Sequence, residues 1–209
     1  MNLEKSLQSY FDELASNSPT PGGGNVSALC GALSASLGAM VCGLTIGKKK
    51  YAEVEAEMID LKSRLEAAQK EFFHLGQEDN KAFDLVMDAF RLPKETDDEK
   101  AARNKKIEEA TINAGKTPAA VIEKCSEILP IIKTVVEKGN KNSLSDAGVA
   151  AKLIAAAAYG AYLNVLINCS SYKSNPAAAE LLAKSEGLLN KINLETDNIN
   201  TGVVNELKG

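Results

Sequence analysis

Leu3, Leu7, Tyr10, Phe11 and Leu14 recur every three or four residues, the spacing of one helix face. This stripe predicts a first amphipathic helix that ends ahead of Ser18-Pro19, where the residue before a proline is pushed out of the α region. Charge then disappears: no charged side chain falls between Leu14 and Gly47. Residues 26–46 are dominated by Ala, Gly, Ser and Leu, with Gly24, Gly31 and Gly38 seven apart and Ala28, Ala32, Ala35 and Ala39 beside them. On a helix these small residues share one side, which lets a neighbouring backbone come close. Residues 51–90 return to an amphipathic pattern carrying Met58, Leu61, Leu65, Phe72, Phe73, Leu75, Phe83, Val86 and Met87, and it stops at Leu92-Pro93.

Residues 94–100 read as a charged surface link into a helix over about 100–114. Thr117-Pro118 reads as a further helix start, with Thr as N-cap and Pro at the first helical position. That helix reaches about Glu137 and bends at Pro130. Gly139-Asn140-Lys141-Asn142 is a turn, and Ser143, Ser145 or Asp146 caps a second small-residue helix running to about Asn168. Asn175-Pro176 opens a last helix toward Glu206. The pattern therefore predicts an all-α bundle of six or seven helices without a strand, built as one domain over residues 1–209.

Composition sharpens this picture in a few places. Aromatic residues make up 5% of the chain and tryptophan is absent, which favours closely packed helices over a sheet. A net charge of −4 gives no nucleic-acid footprint. Cys30, Cys42, Cys125 and Cys169 are scattered without a CxxC, predicting reduced, mostly buried thiols and no structural zinc or other metal site. Residues 26–46 have the length of a membrane span. Their serines, threonine and glycines, with a mean hydropathy of −0.15 for the chain, favour a buried bundle helix instead. The first residues lack the basic start and apolar core of a secretion signal, so a cytoplasmic protein without membrane or nucleic-acid partners is expected.

The most specific local feature is Ser18-Pro19-Thr20-Pro21-Gly22-Gly23-Gly24-Asn25. Two prolines fix φ and three glycines free it, giving a rigid lead-in and then a turn of bare backbone. Feeding a helix N-terminus, such a turn presents free N–H groups to a carboxylate, a carbonyl or a phosphate. A P-loop is excluded because Asn25-Val26-Ser27 follows the glycines without a lysine. A dinucleotide fingerprint is excluded because no strand precedes them.

Asp79 lies one turn before Phe83 on the apolar side of its helix, and so faces either the core or a cleft, or solvent at the edge of that face. Glu78 and Asp84 read as surface residues. Ser145-Asp146 is most simply an N-cap that leaves one of the pair for a ligand. Asn164 and Asn168 share one face of an apolar helix and must be hydrogen-bonded if buried, to other helices or to the amide-like edge of a heterocycle. Lys48-Lys49-Lys50 is either a solvated helix end or the seat of an anionic tail. His74, the sole histidine, has no triad signature around it and reads as structural.

Thr20-Pro21-Gly22-Gly23-Gly24, Gly47-Lys48-Lys49-Lys50-Tyr51, Asp79-x-x-Ala82-Phe83, Arg91-Leu92-Pro93-Lys94, Ser145-Asp146-x-x-Val149-Ala150-Ala151 and Gly160-Ala161-Tyr162-x-Asn164-Val165-x-Ile167-Asn168 together resemble the formiminotetrahydrofolate cyclodeaminase family. That family includes the cyclodeaminase half of bifunctional formiminotransferase-cyclodeaminases and stand-alone bacterial methenyltetrahydrofolate cyclohydrolases. The resemblance implies a dimer-forming helical domain that binds a tetrahydrofolate derivative, polyglutamylated or not, and needs no cofactor beyond that substrate. It implies Asp79 as the catalytic acid/base. Pro21, Gly22, Gly23, Gly24, Ser145, Asp146, Asn164 and Asn168 would line the folate site. Lys48, or the N–H groups of the glycine turn, would meet the glutamate tail.

The implied reaction closes 5-formiminotetrahydrofolate to 5,10-methenyltetrahydrofolate with loss of ammonia. The alternatives are cyclohydrolase chemistry on the methenyl bridge, which passes through the same kind of tetrahedral carbon, and a non-catalytic folate-binding or interaction module.

Overall fold

The charge-free run becomes α2 (Gly23–Thr45) in the computed structural model, which describes residues 6–209. Before it lies α1 (Leu7–Leu14). After it come α3 (Glu55–Phe90), α4 (Asp97–Lys138), α5 (Leu144–Cys169) and α6 (Pro176–Lys208), with 3₁₀ turns at Lys49–Val54, Lys141–Ser143 and Ser170–Tyr172. No strand occurs among the described residues, so the architecture is the all-α bundle that the hydrophobic pattern predicts. The expected Leu3 start of the first helix lies outside the described residues. Ser6 caps α1, its Oγ accepting from the Ser9 N–H at 3.1 Å.

α2 packs against α3 on one side and α5 on another; α4 lies across α3 and α5, and α6 covers α4 and α5. The glycines of α2 decide its fit to α3. The two helices run antiparallel, and Gly24, Gly31 and Gly38 receive Asp79, Phe72 and Leu65, themselves seven residues apart. A Cβ on Gly31 would fall 2.5 Å from the Phe72 ring, and one on Gly38 would fall 2.9 Å from Leu65 Cδ1. The small stripe therefore admits inserted side chains rather than the neighbouring backbone expected, as knobs enter holes. Phe72 and Leu65 are fully buried, each stabilising the fold by about 1.5–3 kcal/mol.

On the α5 side, Ser34 Oγ donates to the Ala150 carbonyl at 2.7 Å, and Ser27 Oγ occupies the space beside Gly160. At the far end the Asn140 N–H donates to Thr45 Oγ1 at 2.9 Å. α2 and α5 are thus antiparallel neighbours, with the N-terminus of α2 beside the C-terminal half of α5. Gly47, with φ of +74°, ends the α2 segment in the left-handed region that a side chain disfavours.

Two expectations are corrected. Thr117-Pro118 does not start a helix: α4 runs unbroken from Asp97 to Lys138 with Pro118 and Pro130 inside it. Ile112, Gly115, Ala119 and Ile122 keep one buried stripe in phase through the buried Pro118, and burying that stripe outweighs the ~3 kcal/mol cost of an interior proline. The true start is legible in Thr96-x-x-Glu99, a capping box in which the Glu99 N–H donates to Thr96 Oγ1 at 3.2 Å. At α5, Ser143 holds the N-cap position without a side-chain bond, while Ser145 and Asp146 stand inside the first turn.

α2 and the stretch Lys141–Tyr172 are long and apolar enough to cross a membrane by length and composition. Inside the bundle each has packed faces and one outward face. Leu33, Met40 and Leu44 remain exposed on α2, and Val149, Tyr159, Leu163 and Ile167 on α5, Ile167 at 80%. All four cysteines are free, and Cys42, Cys125 and Cys169 are buried. Burial pushes the Cys42 thiol up to about 11.

Candidate active site

Asp79 is the half-buried, polar member of a heptad series. One and two heptads earlier the same face of α3 carries Phe72 and Leu65 in the core, and the register brings Asp79 onto the first turn of α2. There the glycine motif matters: a Cβ on Gly24 would lie 2.6 Å from Asp79 Cγ and Oδ2, so only glycine leaves room for the carboxyl. Burial raises the Asp79 pKa above the ordinary carboxylate value, and the Asn25 N–H opposes that rise. An ionised carboxylate at a helix N-terminus is favoured by the dipole and the unpaired donors, yet desolvation is the larger effect here. Glu78 beside it behaves oppositely: its carboxylate accepts from Lys81 Nζ at 2.7 Å, which holds its pKa down.

Around this carboxyl the structure gathers part of the expected set. Gly22 takes the N-cap position of α2 without a side-chain bond. Pro21 is buried, and the Thr20–Pro21 peptide is cis. From α5, Asn164 Nδ2 donates to the Gly160 carbonyl at 2.8 Å and sits 3.4 Å from where a Gly23 Cβ would be. Asn168 Cβ, one turn on, lies 3.7 Å from where a Cβ on Gly115 of α4 would be. The half-buried Asn pair therefore begins at the Asp79 end of the bundle and continues toward α4.

Lys48, Ser145 and Asp146 lie elsewhere within the chain. The Lys141 N–H donates to Tyr51 Oη at 3.0 Å, tying the 48–51 segment to the turn that precedes Ser145. At a rise of ~1.5 Å per residue, Ser145 and Asn164 are about 30 Å apart along α5. The candidate residues thus form two groups at opposite ends of the same two helices. Lys48 and Ser145 are exposed and Asp146 is half-buried. His74 is exposed, and among the described residues no three or more His, Cys, Asp or Glu gather as a metal site.

A recess of about 440 Å³ opens between α3 and α4 beyond Asp79, with walls that include Ala82, Leu85, Ala89 and Asn113. Its charged rim is already paired, Lys106 with Glu109 at 2.9 Å and Asp88 with Arg91 at 2.8 Å. That leaves a largely apolar trough.

The hydrophobic pattern placed Tyr10 on the first helix's apolar stripe but gave neither it nor Asn25 a role at the site. Tyr10 Oη donates to Asn25 Oδ1 at 2.9 Å, and Asn25 Nδ2 donates to the Gly76 carbonyl at 2.7 Å. Asn25 is fully buried. The available signal was a lone amide in the first turn of an otherwise apolar helix, which a bundle tolerates only when it is bonded.

Comparison with known proteins agrees with this fold. A family profile described as formiminotransferase-cyclodeaminase matches residues 6–187. A methenyltetrahydrofolate cyclohydrolase of Methylorubrum extorquens is 44% identical over 185 residues, 88% of this chain and 89% of that protein. The formimidoyltransferase-cyclodeaminase of Rattus norvegicus is 34% identical over 166 residues, 79% of this chain but 31% of that protein. This chain therefore spans about a third of such bifunctional relatives. The crystal structure of a formiminotetrahydrofolate cyclodeaminase from Thermotoga maritima superposes with a TM-score of 0.81 at 30% identity, covering 96% of this chain and 98% of that one.

Proposed function

This chain belongs to the formiminotransferase-cyclodeaminase family of folate one-carbon enzymes, and on that premise we propose that it hydrolyses 5,10-methenyltetrahydrofolate to a formyltetrahydrofolate, with Asp79 moving the proton. The observation that carries this reading is the Asp79 carboxyl, desolvated on the bare first turn of α2. A carboxylate with a raised pKa is a stronger base than an exposed one. Ionised, it attracts the cationic methenyl bridge. Water then adds to the bridge carbon and gives a proton to Asp79. The protonated carboxyl returns that proton to the ring nitrogen as its bond to carbon breaks. The hydroxyl on carbon loses its own proton to solvent and becomes the formyl carbonyl.

The 44% identity to a cyclohydrolase over nearly its whole length supports hydrolysis. The second reading is cyclodeamination, favoured by the fold shared with the Thermotoga maritima protein. There N10 attacks the formimino carbon, and Asp79 carries the N10 proton to the departing nitrogen. Both use one carboxyl at one carbon. The N–H groups at Gly22, Gly23 and Gly24 and the Asn164 and Asn168 amides would hold the heterocycle. Lys48 would meet the glutamate tail, with Ser145 and Asp146 beside it.

These two groups meet if the protein is a homodimer. The outward faces of α2 and α5 carry Leu33, Met40, Leu163 and Ile167, an apolar area that a second copy would cover. A two-fold axis across antiparallel helices pairs the Asp79 end of one copy with the Lys48–Asp146 end of the other.

Absorbance of the methenyl bridge tests the reaction with the purified protein. Loss of 5,10-methenyltetrahydrofolate faster than the blank is expected. Appearance of methenyl from 5-formiminotetrahydrofolate would instead favour the second reading, and no change with either substrate would overturn both. Asp79→Asn should lower turnover by roughly 10²–10⁴-fold while a tetrahydrofolate derivative still binds.

A further inference from the structure

We propose that Tyr10 and Asn25 are positioning residues for Asp79, forming a clamp that holds the first turn of α2 against α3 so that the bare Gly24 backbone stays seated on the carboxyl. The inference rests on the reading of Asp79 as the proton-transfer group. Its own basis is the arrangement of hydrogen bonds on three helices.

Asn25 grips α3 on both sides of Asp79. Its Nδ2 donates to the Gly76 carbonyl at 2.7 Å and, more weakly, to Asn80 Oδ1 at 3.4 Å, while its backbone N–H favours the ionised form of Asp79. The approach is close but not strained: a Cβ on Gly76 would lie 3.4 Å from Asn25 Nδ2 and 3.5 Å from Ala28 Cβ, ordinary contact distances.

The orientation of the amide is set from α1. Tyr10 is the one buried residue of that helix, and its hydroxyl donates to Asn25 Oδ1 at 2.9 Å. With the oxygen engaged by Tyr10, the NH₂ must face α3. In the flipped orientation the amide oxygen would face the Gly76 carbonyl, two acceptors with no proton between them. Burial pushes the Tyr10 hydroxyl up, which keeps it a donor across the physiological range.

The groups acting on Asp79 among the described residues are few. On α2 it meets the Gly24 backbone and the Asn25 N–H, and on α3 the neighbouring Glu78 is engaged by Lys81. α1 brings only the neutral Tyr10 hydroxyl, one hydrogen bond removed, and α5 the neutral Asn164. An N–H donor favours the ionised carboxylate, so loosening the clamp raises the midpoint of Asp79 and leaves less base at a given pH.

Tyr10→Phe keeps the ring and removes the hydroxyl. The test follows the Asp79 carboxyl by ¹³C NMR in protein labelled at aspartate, with its signal assigned by its absence in Asp79→Asn. A midpoint about half a pH unit higher in Tyr10→Phe, and higher still in Asn25→Ala, is expected. The acidic limb of the rate profile should move by the same amount. Ile192→Val on α6 serves as a control for lowered stability alone and should leave the midpoint unchanged. An unshifted midpoint in Tyr10→Phe overturns the clamp. A shifted midpoint with an unshifted rate profile leaves the clamp standing and overturns the assignment of Asp79 to the reaction.

Discussion

Asp79, Phe72 and Leu65 occupy equivalent places in the α2–α3 register, and what separates them is the cost of burying a charge. Each fills the space left by a glycine, but only Asp79 loses water that its ionised form needs. Its pKa is raised in the folded chain, so between the ordinary carboxylate value and that raised value the folded state holds a proton that the unfolded state has released. Stability therefore falls as pH rises through that window and levels off above it. Asp79→Asn keeps the shape and removes the charge. Its Tm advantage over the wild type should be smallest in acid and grow toward neutral pH. Parallel Tm curves for the two proteins would contradict the burial argument. From Phe83 one turn away the sequence left Asp79 open between the core side and solvent, although its heptad with Leu65 and Phe72 is visible there. Which residue of α2 it meets was not legible, because that depends on the register between two helices.

At the scale of elements, helix packing rather than helix propensity decides what a glycine does. Gly31 has the Phe72 ring within 2.7 Å of where its Cβ would be, in a core without slack. Gly187 on α6 has nothing within 4 Å. Gly31→Ala is expected to destabilise by about 1–3 kcal/mol, and Gly187→Ala to stabilise by about 0.5–1 kcal/mol. Urea titrations of the two variants would check both signs. The same preference of packing over propensity explains α4. Local rules read Thr117-Pro118 as a start, whereas the stripe through Ile112, Gly115, Ala119 and Ile122 is buried as one surface. Local rules succeeded where no such surface competes, as at Asn175-Pro176, where Asn175 Oδ1 accepts from the Ala177 N–H at 3.1 Å.

For the whole molecule, the proposed function brings Lys48, Ser145 and Asp146 to Asp79 only through a second copy, and that proposal is open to test. Ile167→Glu or Leu163→Glu, placing charge on the outward face of α5, should give a monomer by light scattering and lose turnover with it. Co-expressed Asp79→Asn and Asp146→Asn chains offer a stricter check. Each variant alone should be nearly inactive, while their mixture recovers about a quarter of wild-type activity, since half of the random dimers carry one intact site of two. No recovery would mean that each chain works alone. The sequence by itself determined the helices, the glycine turn, the charge-free run and the motif set, because periodicity and backbone chemistry act over a few neighbouring residues. Only the tertiary structure decided that Gly24 receives Asp79, that Asn25 and Tyr10 stand behind it, and that the candidate site is divided between the two ends of α2 and α5. Those outcomes depend on register and direction between helices distant in sequence, which close packing selects and no local pattern encodes.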